Sequence, residues 1–401
     1  MDWGAVRQFF GVPRKSHWNA LPTPRRTARR RALIVGIDHY DKVPPLNGCV
    51  ADAREMARVL ATHAPGANGG PTDNFECRLL VSARGGEPIS SNRLKKEWLD
   101  IFEDPGAPGK KFEGDVVFYF SGHGAVNEYG GHLVTQEADA DDPDLGFEME
   151  HLVLLANRHS AANSVTIIID ACHSGVVGNP PDQDGLVKIK RGISILSASL
   201  PDEYAMEVDG RGVFTRLVVS ALEGGGGDVL GNVSPASIFA YAQAALAPQE
   251  QRPMYKTHAS DWEVIRRVAP VVSLAELRQL PEFFPAEDSQ FQMDPEYEHT
   301  ELENFDKGES SKIQPDGYSE DGGRTVPQLT RERRAKIEKK IAIFKLFKRY
   351  QVVGLLEPVK ELMRKGNEND LYWAALDSKP VRLTRLGQYY RQLGARGLIK
   401  N

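Results

Sequence analysis

Along the chain up to residue 267, short apolar runs that break into small or polar residues alternate with segments whose apolar positions recur at helical spacing. The runs predict strands over 32–37, 77–81, 116–120, 165–169 and 192–197, rich in Val, Ile, Leu and Phe. Between them, Met56, Val59 and Leu60 mark a helix over 52–61, and Leu94, Trp98, Leu99 and Phe102 mark another over 91–102. Further helices are predicted over 148–157, 213–222 and 235–246, and residues 262–267 are expected to close the sheet. Strand and helix alternating in this way predict an α/β fold, a mostly parallel sheet flanked by helices on both faces.

Beyond residue 324 the pattern turns helical: Ile337, Ile341, Phe344 and Phe347 recur at i, i+3, i+4 spacing within 329–364, and Leu383, Leu386, Tyr390 and Leu393 mark a last helix stopped by Gly394. Charge divides the chain at the same place. The net charge of −5 averages a segment 270–324 with 4 Lys and Arg against 14 Asp and Glu, and a segment 325–401 with 18 against 7. Four regions are therefore expected: a basic N-terminal arm (1–31) with Arg25, Arg26 and Arg29 to Arg31, an α/β domain (32–269), an acidic linker (270–324), and a smaller, mainly helical basic domain (325–401).

No strand is followed by a glycine-rich phosphate loop of the dinucleotide or nucleotide-triphosphate type. Three cysteines make no disulfide framework, and no apolar stretch has the length of a membrane span or the pattern of a secretory signal, so a reducing cytoplasmic setting with no membrane partner is expected. CxxC and HExxH frameworks are absent, so no metal is expected. The acidic run Asp139, Asp141, Asp142 and Asp144 raises calcium, but it lacks the EF-hand pattern and reads as a solvated turn, so no cofactor is expected.

The candidate chemistry lies where two strands end. Val116-Val117-Phe118-Tyr119-Phe120 breaks into Ser121-Gly122-His123-Gly124, and Val165-Thr166-Ile167-Ile168-Ile169 breaks into Asp170-Ala171-Cys172-His173-Ser174-Gly175. Reactive groups in open α/β sheets gather beyond the carboxyl ends of strands. A thiol is nucleophilic as its thiolate, and an imidazole can take its proton and later pass one to a leaving amine. His123 and Cys172 fit those roles, and the backbone N–H groups of Gly124 and Cys172 could bind the oxyanion. Residues two apart on a strand share a face, which pairs Ser121 with His123 and Asp170 with Cys172 and leaves His173 pointing elsewhere, in a structural role.

These two motifs resemble the signatures of caspase-like cysteine peptidases (peptidase C14), in the form seen in metacaspases and their bacterial relatives, the orthocaspases. The resemblance extends to the spacing, His123 standing 49 residues before Cys172 where the caspase pattern has about 50. It covers residues 32–267 and includes Gly48-Cys49-Val50-Ala51-Asp52-Ala53, Ile195-Leu196-Ser197-Ala198-Ser199 and Gly212-Val213-Phe214-Thr215. True caspases carry Gln-Ala before the cysteine; here Asp170-Ala171 stands there. The resemblance to metacaspases implies that Cys49, Asp52, Ser121 and Asp170 line the pocket for the residue before the scissile bond. Two carboxylates in such a pocket favour a cation, so cleavage after Arg or Lys is expected.

The same resemblance implies that the strand at 193–198 pairs with an extended substrate. Exposed basic segments then become candidates for self-cleavage: the loop 182–192 with Lys188, Lys190 and Arg191, and the arm at 25–31. The last domain resembles a winged helix, whose basic charge would suit a nucleic acid or a protein activator. The expected partners are protein substrates with accessible Arg or Lys, and the bacterial relatives imply a role in antiviral defence or programmed death. The alternative is a non-catalytic caspase-like regulatory or adaptor protein.

Overall fold

The computed structural model describes residues 29–64, 70–83, 86–104, 106–128, 130–139, 145–177, 188–200, 207–208, 210–246, 251–259, 263–321 and 324–400. The chain forms two units, which divide between Pro270 and Val271.

In the first unit the strands are β1 (Arg29–Gly36), β2 (Glu76–Val81), β3 (Gly114–Ser121), β7 (Ser164–Asp170), β8 (Ile193–Ser197) and β11 (Met254–His258). They form one sheet in the order β2-β1-β3-β7-β8-β11, parallel except for the antiparallel edge strand β11. The central strands are apolar on both faces because helices cover both. Leu33, Val35, Phe118, Phe120, Ile167 and Ile169 face α2 (Ser91–Asp100) and α3 (Met149–His159). Ala32, Ile34, Val117, Tyr119 and Ile168 face α1 (Cys49–Ala61), α4 (Val213–Ser220) and α5 (Pro235–Leu246). A small antiparallel sheet, β4 (Gly124–Asn127), β5 (Gly130–Val134) and β6 (Gly146–Glu148), grows from the end of β3, and a hairpin of two residues per strand, β9 (Glu207–Val208) and β10 (Arg211–Gly212), precedes α4.

Two expectations are corrected here. The strand closing the sheet is β11, not 262–267; Arg266 and Arg267 pair with Val233 and Asn232 in a separate ribbon. An edge strand tolerates a mixed sequence such as Met-Tyr-Lys-Thr-His, which is why apolar pattern alone passed over it. The basic arm also stops earlier than residue 31. Arg29 to Arg31 open β1, where Arg29 pairs with Asp104 at 2.5 Å, Arg30 with Asp115 at 3.1 Å, and Arg29 and Arg31 lie over the Phe112 ring. Carboxylates and an aromatic face hold these cations at the strand start, with Arg29 still half exposed to solvent. Self-cleavage at Arg29 to Arg31 would have to break a central strand; Arg25 and Arg26 lie outside the described residues.

The second unit overturns the linker at 270–324. That segment holds helices at Leu274–Leu277, Leu280–Phe283 and His299–Lys307, and strands at Gln290–Gln292 and Gly317–Asp321. The expected helix over 329–364 is shorter, Arg331–Val352, capped by Thr330 and followed by Gly354 in the left-handed region (φ +71°) and a strand at Leu356–Pro358. Phe347 of this helix packs against Phe283, Phe284 and Phe291 with ring centroids 4.9 to 5.8 Å apart. The acidic residues meet its basic ones: Lys340 bridges Asp294 and Glu296 at 2.6 and 2.7 Å, and Glu296 also pairs with Arg333, Asp306 with Arg334, Glu298 with Lys348 and Glu276 with Arg349. Low hydropathy concealed a folded segment because most of its few aromatics are concentrated in one cluster, with Phe305 in a second apolar group, and its charge is matched by a helix later in the chain. Among the described residues no helix is long and apolar enough to cross a membrane.

One buried carboxyl sets a pH response in the first unit. Glu263 accepts from Ser194 Oγ at 3.0 Å through Oε2, while its Oε1 is buried with no hydrogen-bond partner among the described residues. Burial, reinforced by the charge of Asp115, pushes its carboxyl up to about 7 from an ordinary 4.5. Because the native state holds this proton more tightly than the unfolded chain, the contribution is complete below pH 4.5 and lost as pH rises through 7. Glu263→Gln is therefore expected to gain on the order of 3 kcal/mol relative to wild type between pH 4.5 and 8. Denaturant midpoints of both proteins at pH 5 and pH 8 check this; a difference that does not change with pH contradicts it.

Candidate active site

The site is built from the register of β3 against β7. Ser121 and Asp170, the last residues of the two strands, are paired neighbours, so each chain leaves the sheet at the same level, about 4.8 Å from the other. Two residues further on come His123 and Cys172. The loops touch: a Cβ on Gly124 would lie 2.1 Å from the carbonyl oxygen of Cys172, so only glycine fits behind the histidine. His173 takes φ +55°, and this left-handed corner turns the chain directly after Cys172 into the short helical turn Ser174–Val176.

Several side chains fix this geometry. The Tyr40 hydroxyl accepts from the His123 backbone N–H at 2.9 Å, and the two rings lie 4.9 Å apart. His123 Nε2 lies 2.8 Å from the Pro44 carbonyl. A carbonyl only accepts, so Nε2 carries the hydrogen, and in the neutral ring Nδ1 holds the lone pair. On the cysteine side Lys256 donates through Nζ to the carbonyls of Gly175 at 2.6 Å and Val177 at 2.7 Å. Burial lowers the Lys256 ammonium to about 8. Ser199, at the end of β8, donates to Ala171 O at 3.4 Å.

The backbone N–H of Gly124 also has a defined direction. Val134 N–H donates to His123 O at 3.0 Å, the single bond that precedes the first pair of the antiparallel β4/β5 ladder. That first pair, Gly124 and Leu133, is then non-bonded, and Gly124 N–H points away from β5.

Strand parity puts Ser121 and Asp170 on the face shared by Val117, Tyr119 and Ile168, and that face is covered by α1 and α4. Asp52 comes from α1 and Thr215 from α4. Asp170 Oδ2 accepts from the Thr215 hydroxyl at 2.6 Å and from its backbone N–H at 3.0 Å, and the Thr215 hydroxyl in turn accepts from the buried Tyr119 hydroxyl at 2.6 Å. Asp52 Oδ2 accepts from Gly212 N–H at 2.9 Å, and Oδ1 from Nε of Arg211. Both carboxylates converge on one backbone point: a Cβ on Gly212 would lie 2.3 Å from Asp170 Oδ2 and 3.1 Å from Asp52 Oδ2. Asp52 is 1% and Asp170 5% exposed. Burial raises the Asp52 carboxyl above its ordinary value, against the lowering effect of Arg211 and Gly212. Ser121 is buried beside Asp170, and Cys49 is buried at the first position of α1, one turn before Asp52, with its N–H donating to Asp38 Oδ1 at 2.8 Å.

Sequence reasoning missed Tyr40, Pro44, Arg211, Thr215 and Lys256. Thr215 belongs to a segment already singled out and Arg211 directly precedes it; the others act through a backbone atom or a lone side chain and leave no pattern. None of the three cysteines is in a disulfide. Asp139 pairs with Lys42 at 2.5 Å, Asp141, Asp142 and Asp144 lie outside the described residues, and among the described residues no group of three or more His, Cys, Asp or Glu is arranged to hold a metal ion.

Metacaspase-3 of Arabidopsis thaliana is 26% identical over 169 residues, covering 40% of this chain and 44% of its own length. Metacaspase-2 of Trypanosoma brucei brucei is 27% identical over 191 residues, covering 44% and 50%. The match thus spans about half the length of these relatives. Among solved structures, caspase-1 from Spodoptera frugiperda aligns at a TM-score of 0.42 and 14% identity over 62% of this chain and 98% of its own. The model of the Caspase domain, Peptidase_C14, matches residues 29–264, a span that runs from β1 past β11 and contains both strand-end motifs, and the chain belongs to that family of cysteine peptidases.

Proposed function

We propose that this protein is a cysteine endopeptidase that hydrolyses peptide bonds after Arg or Lys, with Cys172 as nucleophile and His123 as general base and acid. The observation that carries the reading is the abutment of the two strand-end loops, Gly124 against the Cys172 carbonyl, beside two buried carboxylates. With Nε2 tied to Pro44 O, the Nδ1 atom of His123 takes the thiol proton. The thiolate adds to the scissile carbonyl, and the N–H groups of Gly124 and Cys172 receive the oxyanion. His123 then protonates the leaving amine, and the acyl-enzyme is hydrolysed by a water that gives its proton to the same nitrogen. The Pro44 carbonyl steadies the imidazolium, as a hydrogen-bond acceptor oriented on the far side of the ring.

Asp52 and Asp170 select the substrate. A buried pair of anions gains by taking in a guanidinium or ammonium and would repel an aspartate. The second unit is proposed to recruit a protein activator; the acidic partners already held by Arg333, Arg334, Lys340, Lys348 and Arg349 disfavour a phosphate backbone there. A regulated peptidase of this kind suits a role in cell death or antiviral defence inside a reducing cytoplasm.

Fluorogenic peptides ending in Arg, Lys or Asp test the reaction and the pocket together. Wild type should cut the Arg and Lys peptides and leave the Asp peptide, and Cys172→Ala or His123→Ala should each lower kcat/KM by roughly a thousandfold or more. No turnover by wild type would favour the non-catalytic adaptor instead, and turnover that survives both substitutions would contradict the dyad. Asp52→Asn and Asp170→Asn should raise KM for basic peptides about 10- to 100-fold, with a smaller effect on kcat; an unchanged KM contradicts the pocket. Lys188, Lys190 and Arg191 are exposed, on a stretch pinned to α3 by Asn157. Intact mass of wild type after incubation should reveal a cut at one of them that is absent from Cys172→Ala.

A further inference from the structure

The pocket already holds a cation, and the chain supplies it. Arg211 lies on β10, between Gly210 in the left-handed region (φ +67°) and Gly212, and its Nε donates to Asp52 Oδ1. We propose that Arg211 is an internal competitor for the substrate pocket: it occupies Asp52 while the site is empty, and an incoming Arg or Lys side chain takes its place. The proposal rests on the basic-substrate reading above and assigns the pocket its gatekeeper.

Three features distinguish a displaceable occupant from a structural ion pair. The contact is single-ended. Among the described residues Arg211 uses Nε alone, not the bidentate fork that gives arginine–carboxylate pairs their strength, and its side chain remains 34% exposed against 1% for Asp52. Asp52 does not depend on it for orientation, since α1 carries the residue and Gly212 N–H holds Oδ2 at 2.9 Å whether or not the guanidinium is present. The exchange needs no backbone movement: the hairpin can stay in place, with Gly212 still bonded to Asp52, while the one-third exposed Arg211 side chain swings out toward solvent.

The exchange is electrically balanced. Burial works against the Asp52 charge, and leaving that carboxylate with no cation would be strongly unfavourable. Arg211 removes the cost in the empty site, and a basic substrate removes it in the complex. A neutral or acidic side chain would displace Arg211 without compensating Asp52, so the internal arginine also sharpens discrimination against such residues. If Arg211 is seated in about nine molecules of ten, apparent binding of a basic ligand is weakened about tenfold.

The test uses the full chain and agmatine, which offers a guanidinium without a scissile bond. Arg211→Met, which keeps the aliphatic stem, and Arg211→Gln, a second neutral variant in case the first fails to fold, should bind agmatine about tenfold more tightly than wild type by calorimetry. KM for Arg and Lys peptides should fall by a similar factor with kcat within about twofold, and the difference should vanish when Asp52→Asn is added. Agmatine affinity that is unchanged or weaker in both neutral variants, with KM unchanged or raised, overturns the proposal and makes Arg211 a support for Asp52. If wild type nevertheless cuts Arg and Lys peptides, only the competitor role has failed. If no variant binds agmatine and none cuts basic peptides, the basic pocket itself is wrong.

Discussion

The pairing of Ser121 with Asp170 is the constraint on which the site depends. Parallel strands in register deliver their ends at one level, and everything chemical in this unit follows from which residues stand at and just beyond those ends. One step beyond the sheet plane the two loops touch through Gly124 and Cys172. On the sheet's own face the same pairing sets Asp170 beside Ser121 and opposite α1 and α4. A slip of one residue would turn Asp170 to the opposite face, among the apolar side chains of α2 and α3, and would separate the loops by a further residue rise. The proposed catalyst and the proposed pocket are thus two consequences of one register.

The register also concentrates an electrostatic cost. Asp52 and Asp170 converge on Gly212 with little solvent to screen them, a placement that the apolar faces around them cannot compensate. Hydrogen-bond donors from the α4 region stabilise the two anions together. These are Gly212 N–H, Thr215 N–H and the Thr215 hydroxyl, the last supported by Tyr119. Fixed donors of this kind hold a charge in place without neutralising it. That is the condition the proposed cation pocket requires, and it is why a segment of modest appearance, Gly212-Val213-Phe214-Thr215, carries so much of the candidate site.

How much of this was legible depended on whether the cause was local. The strands β1, β3, β7 and β8 announce themselves because burial on both faces demands continuous apolar runs, and the helices because one face must be apolar. His123, Cys172, Asp52 and Asp170 belong to segments with a recognisable family form. What escaped is non-local. Nothing near Pro44 signals that its carbonyl will meet an imidazole 79 residues later, and Lys256 reads as an unremarkable edge-strand lysine until its ammonium is found between Gly175 O and Val177 O. Backbone acceptors and long cationic side chains leave no periodicity, because their partners are set by tertiary packing alone.

The acidic segment after Val271 carries the same lesson to the scale of a whole unit. Read by itself, a stretch of balance −10 lacks the apolar surface to fold and resembles a tether. Its complement, a stretch of balance +11, follows immediately. When opposite charges are segregated along a chain, each half looks disordered in isolation, although bringing them together lowers the cost of folding both. Here Asp294, Glu296 and Glu298 meet Lys340, Arg333 and Lys348 along one helix, while Phe283, Phe284, Phe291 and Phe347 supply the apolar centre. Exposed pairs of this sort add little individually, but Glu298 is almost wholly buried, and a buried carboxylate without its lysine would be strongly unfavourable. The aromatic cluster therefore provides the stability, and the charge pairs determine which helix face the acidic segment must choose.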